Sequence, residues 1–105
     1  MHIAHELRQE LVLLLGDAGR TTYPFLAQQT LQSIERMYAR EKQLGAEAAT
    51  PDLVHAVFRA LRREEGVIDR KVERGQPFYS LTPTGRVLYD QLHALHTGAD
   101  RPVLV

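Results

Sequence analysis

The side chains with the most chemistry to offer are cationic. Arg59, Arg62 and Arg63 lie close together after His55, and Arg70, Lys71 and Arg74 follow shortly. A guanidinium is a planar fork of N–H donors that fits phosphate oxygens or the acceptor edge of guanine, whereas a lysine ammonium acts as a point charge. Asp52, Glu64, Glu65, Asp69 and Glu73 are interleaved with them. By themselves, then, these residues fit a solvated surface with internal i, i+4 pairs as well as they fit a nucleic acid. Histidine brings a second chemistry. His2/His5 and His93/His96 are each spaced i, i+3, so each pair shares one helical face and could hold a metal between helices or respond to pH. No HExxH-type motif accompanies them, and terminal histidines are commonly plain surface residues, so no metal is assigned.

Catalysis has little to work with. There is no cysteine, the two serines Ser33 and Ser80 have no adjacent histidine or acid, and no glycine-rich phosphate loop or carboxylate pair stands out. Neither a catalytic residue nor a cofactor is expected.

Overall charge is balanced, with 13 basic and 13 acidic residues in 105, but the balance is not local. Residues 20 to 44 carry four basic and two acidic groups and residues 50 to 76 six and five, so a modest basic face is available, and local field rather than net charge attracts phosphates. Without disulfides, stability must come from an apolar core or a partner chain. The N-terminal residues lack a signal peptide's basic stretch, and the longest apolar run, Leu11 to Leu15, is far too short to cross a bilayer. The expectation is a cytoplasmic domain spanning 1–96 with a flexible tail, 97–105.

These side chains must be positioned by a small set of elements. Ile3, Leu7, Leu11, Leu14 and Leu15 are helically spaced and define a first helix over 2–16. Its second half is apolar on every side, which predicts one face on the domain's own core and another covered by a second chain. A second helix starts at Thr22-Tyr23-Pro24 and runs toward Leu44, with a break expected near Ser33. Thr50-Pro51-Asp52 supplies a capping hydroxyl, a proline for the first turn and an acid at the positive helix end, and Gly66 a terminator, so a third helix spans 50–65. With Leu53, Val54, Val57, Phe58 and Leu61 turned inward, its outer face is Asp52, His55, Ala56, Arg59, Arg62 and Arg63. Residues 67–81 read as a β-hairpin with a charged tip, in which Gly75 allows the tight turn. Thr82-Pro83 opens a fourth helix over 82–96, where Gly85, Leu88, Leu92 and Leu95 form a seam. Tyr23, Tyr38, Phe58 and Tyr79 are in phase with aliphatic neighbours and read as core.

The order α1-α2-α3-β-β-α4, mainly helical with one small hairpin, is that of a winged helix-turn-helix. The stretch from Leu61 through Glu64, Glu65 and Gly66, followed by Tyr79-Ser80-Leu81-Thr82-Pro83-Thr84-Gly85, resembles the PadR family of bacterial transcriptional regulators. MarR-type winged helices share much of the second stretch. Leu13-Leu14-Leu15-Gly16 and Tyr23 resemble the start of a PadR domain, although Thr22 and Pro24 depart from its Gly-Tyr-Glu-Leu motif and the segment up to Thr50 is longer. With one C-terminal helix, the chain is similar to the short PadR subgroup.

The resemblance implies a homodimeric, sequence-specific DNA-binding repressor. Its recognition helix, 50–65, would enter the major groove, and its wing, 67–81, would meet the backbone or minor groove. His55, Ala56 and Arg59 are then placed for base edges, with Arg59 able to pair bidentately with guanine. Arg62, Arg63, Arg70, Lys71 and Arg74 are placed for the backbone. It also implies dimerisation through the first and last helices, by Leu7, Leu11, Leu14, Leu88, Leu92 and Leu95. A small-molecule effector would sit at that interface near Leu11, Leu14, Leu88, Leu92 and His96. The alternative function is a winged-helix interaction or assembly module that binds no DNA.

Overall fold

The computed structural model describes residues 3–39 and 49–100. Its elements are α1 (Ile3–Ala18), α2 (Tyr23–Ala39), α3 (Pro51–Arg63), β1 (Ile68–Glu73), β2 (Gln76–Leu81) and α4 (Pro83–Asp100). The expected winged-helix-like order is therefore the observed one. The predicted run of the second helix to Leu44 and the end of the tail, 101–105, lie outside the described residues.

Local chemistry accounts for the element boundaries. At the start of α3, the Thr50 hydroxyl accepts from the Leu53 N–H at 3.1 Å and Pro51 takes the first turn, satisfying one orphan donor and wasting none. At its end, Gly66 adopts φ +64 and the Val67 N–H returns to the Leu61 carbonyl at 2.9 Å. β1 and β2 pair antiparallel from Ile68 opposite Leu81 to Glu73 opposite Gln76. The remaining two-residue turn has Arg74 at φ +54 and Gly75 at φ +79, the doubly left-handed conformation that matches strand twist. Thr82 then joins three segments: its N–H donates to Val67 O at 3.0 Å, its hydroxyl donates to Gly66 O at 2.6 Å, and it caps α4 by accepting from the Gly85 N–H at 3.0 Å.

α1 is the central helix, in contact with α2, α3, α4 and β2. Leu7, Leu11, Val12 and Leu15 are fully buried and share one core with Leu26, Ile34, Val54, Phe58, Leu61, Val67, Ile68 and Leu92. Leu7 and Leu11, expected at a partner interface, are thus part of the chain's own core. Leu13 and Leu14 are partly buried against the same core. Two other expectations change. α2 is continuous through Ser33, whose hydroxyl donates to the Glu10 carboxylate at 2.7 Å and ties α2 to α1 instead of breaking the helix. α4 continues to Asp100, so residues 97–100 are helical and not tail.

One pairing went unforeseen. Thr21, between α1 and α2, exchanges two backbone hydrogen bonds with Tyr79, at 3.0 and 2.7 Å. This single bridge lies on the free side of β2, so the hairpin is held to the α1–α2 turn as well as to α3.

Candidate nucleic-acid interface

Amphipathic phase turns Val54, Phe58 and Leu61 into the core and leaves Asp52, His55, Ala56, Arg59 and Arg63 exposed, with Arg62 half-buried at the flank. The six α3 residues expected on the outer face are there. Four of them line a cleft of about 310 Å³ between α3 and β2: His55, Arg59, Arg62 and Arg63, together with Tyr23, Phe58 and Tyr79. Both tyrosines meet Phe58 edge-on, with ring centroids at 4.7 and 4.9 Å, and His55 lies edge-on to Tyr23 at 5.7 Å. These contacts fix the aromatic wall and steady the helix that carries the arginines. Burial raises the pKa of the Tyr23 phenol, which keeps its hydroxyl protonated and able to donate.

On the hairpin, Arg70, Lys71 and Arg74 are all exposed, but strand alternation divides them. Arg70 stands opposite Tyr79 and so projects on the side of the sheet where Tyr79 meets α3. Lys71 stands opposite Phe78, on the other side with Glu73. There the Arg20 guanidinium lies 4.1 Å from the Phe78 ring centroid and donates to the Glu73 carboxylate at 2.5 Å. Arg20 was not among the expected site residues. It is 53 positions from Glu73, and the Thr21–Tyr79 pairing sets the α1–α2 turn beside the hairpin.

The ion pairs change the local field. Among the described residues there are two, Arg20–Glu73 and Arg8–Glu65, and each engages an acid that was interleaved with the basic residues. The segment 50–76 has a formal charge of +1 alone. With Glu65 and Glu73 balanced by arginines from outside the segment, it presents +3. Arg59, Arg62, Arg63, Arg70, Lys71 and Arg74 make no ion pair among the described residues.

Arg8 donates to Glu65 through Nε at 3.1 Å and Nη2 at 2.6 Å, joining α1 to the end of α3 and holding the Glu65 carboxyl below its usual range, chiefly through that hydrogen bond. A lowered folded pKa means the pair's contribution is complete above the ordinary glutamate value and is lost as pH falls through the lowered one. The pair is partly exposed, so solvent screening limits it to about 1 kcal/mol or less. In urea titrations, wild type should exceed Glu65→Gln by that margin at neutral pH, and the two should converge in acid, once Glu65 is protonated in the folded protein.

The residues expected at a dimer interface are not brought together on one surface. Leu7 and Leu11 are 0% exposed and Leu92 is 7% exposed, so the monomer's own core uses them and they have no area to give a partner. Leu14 and Leu88 pack partly against that core. Leu95 faces outward at 68% exposure, with Val87 nearby on α4 at 58%. Leu11 and Leu92, expected beside an effector, are likewise part of that core. Of the residues expected to line an effector pocket, Leu88 borders an open cleft of about 370 Å³ with Arg8, Glu65, Val67, Thr84, Val87 and Gln91. His5 is 3.0 Å from the Gln9 amide nitrogen and His93 stacks at a tilt on Tyr89; His2 and the side chain of His96 lie outside the described residues. Among the described residues no three His, Asp or Glu side chains converge as a metal site, and no helix is long and apolar enough to cross a membrane.

No model of a known protein family matches the chain, and no curated protein is significantly similar to it.

Proposed function

We propose that the protein is a sequence-specific, double-stranded DNA-binding transcriptional regulator. The observation that carries this reading is the α3 flank: four groups, His55, Arg59, Arg62 and Arg63, share a cleft lined by no carboxylate, beside a cationic hairpin. In this reading α3 lies in the major groove, with His55, Ala56 and Arg59 toward base edges, and Arg62, Arg63, Arg70, Lys71 and Arg74 neutralise phosphates. The protein acts as a homodimer through the outward face of α4 at Val87 and Leu95, and as a repressor, in line with its likeness to PadR regulators. The assembly-module alternative drew on the Leu11–Leu15 and α4 apolar surfaces and on the balanced net charge; of those residues Leu11, Val12, Leu15 and Leu92 belong to the chain's own core.

Arg74 adds independent support. A non-glycine residue in the left-handed region costs about 1–2 kcal/mol, and asparagine is the usual choice at the first position of such a turn. Arg74 in that conformation places a charge at the hairpin tip at a cost in stability. Arg74→Asn is accordingly expected to stabilise the fold by up to about 1 kcal/mol while weakening DNA binding severalfold, as read by thermal unfolding and anisotropy on the same sample.

The direct test is fluorescence anisotropy with fragments upstream of the protein's own gene and with scrambled DNA, at low and physiological salt. Retention of one fragment at physiological salt, with scrambled DNA released, is the expected result. Equal, salt-sensitive binding to all sequences, or none, would overturn sequence-specific local regulation.

A further inference from the structure

The α3–β2 cleft combines features that a flat DNA-docking face does not need. Its lining combines three arginines and a histidine with the rings of Tyr23, Phe58 and Tyr79 around about 310 Å³, at the lower end of small-molecule sites. Arg62 lines the cleft with Arg59 and Arg63 and is the least exposed of the three. No carboxylate lines the cleft, and the nearest acid in sequence with an ion-pair partner, Glu65, is engaged by Arg8 on another side of the molecule. Forked guanidinium groups suit phosphate oxygens, and tyrosine rings suit a planar base in a sequence-tolerant way.

We propose that this cleft binds a nucleoside monophosphate, with the phosphate on Arg59 and Arg62 and the base against Tyr23 and Tyr79. A DNA backbone phosphate offers the same group, so the free nucleotide and DNA compete for one site. A nucleotide held there fills the space between α3 and the hairpin and lowers DNA affinity. That regulatory consequence rests on the DNA-binding reading; the binding itself does not.

Calorimetric titration of AMP and of inorganic phosphate onto the full chain at low salt tests the site. AMP is expected to bind one per chain, about tenfold or more tighter than inorganic phosphate because of the aromatic wall, and to shift the aromatic NMR signals of Tyr23 and Tyr79. Arg62→Ala should cost about tenfold or more, Arg62→Lys should recover only part of the loss because it restores charge without the fork, and Arg86→Ala on α4 should bind as wild type. AMP binding no better than phosphate, or unaffected by Arg62→Ala in a protein with a native spectrum, overturns the proposal. A second arm adds AMP to the labelled DNA complex. AMP binding with displacement supports both readings, and DNA binding without AMP binding removes only the nucleotide site. AMP binding in a protein that binds no DNA removes the DNA reading and leaves the site intact.

Discussion

Gly85→Ala is expected to lower stability by about 2–3 kcal/mol, against the usual gain from replacing a helical glycine with alanine. A Cβ built at Gly85 lies 2.2 Å from the Val67 carbonyl oxygen and 3.1 Å from its carbon and from Leu81 Cδ2. The obstacle is backbone, so no rotamer change relieves it, and α4 must move off the start of β1. That movement would also strain the Thr82 hydrogen bonds to Gly66 and Val67. Gly16→Ala is an instructive contrast. Its Cβ would fall 2.1 Å from Tyr89 Cδ1 and 2.8 Å from Cγ, atoms of a side chain whose hydroxyl donates to Asp17 at 2.5 Å. The ring can swing aside, at the loss of that bond, so the penalty is expected to be smaller. Urea unfolding monitored by circular dichroism should show a lower midpoint for Gly85→Ala with an unchanged slope. A variant as stable as wild type would mean that α4 does not approach β1 so closely.

The second large effect concerns α3. Arg59→Ala is expected to cost about 1–3 kcal/mol in affinity for the preferred DNA fragment and to narrow the margin over scrambled DNA, because a bidentate base contact carries sequence information. Arg62→Ala is expected to weaken both DNAs alike and to reduce the slope of log affinity against log salt by about one, the signature of a lost phosphate contact. The double variant should bind about a hundredfold or more weakly. Anisotropy over a salt series separates the two roles. Wild-type binding by both single variants would remove α3 from the interface.

The fold was largely legible where local chemistry decides it. Thr50-Pro51 and Gly66 bound α3 because capping and positive φ are short-range requirements, and the hairpin follows from β-prone runs around a turn. Leu11 was misassigned for a physical reason. A helix apolar on all sides predicts that something covers it, but periodicity cannot say whether the cover is another chain or the same one. Here α2, α3, α4 and β2 supply it. The outer face of α3 was legible from its phase. The aromatic wall of the cleft was not, because Tyr23 and Tyr79 are joined through Phe58 across three elements. Arg20 was similarly hidden, since the single Thr21–Tyr79 bridge leaves no periodic trace in sequence. Residues 97–100 are helical although their composition placed them in the tail.

That bridge has a consequence for self-association. By occupying the inner edge of β2, it leaves β1 as the open rim of the sheet, and an open rim with unpaired backbone groups is a template on which another molecule's strand can grow. Val72, half exposed, is the apolar residue an invading strand would find there. It is flanked by Asp69, Arg70, Lys71 and Glu73, all exposed, whose solvated charges of both signs oppose such stacking. The hairpin's cations thereby act as gatekeepers against aggregation, so a variant stripped of Arg70 and Lys71 to test DNA binding would also be the one most prone to precipitate.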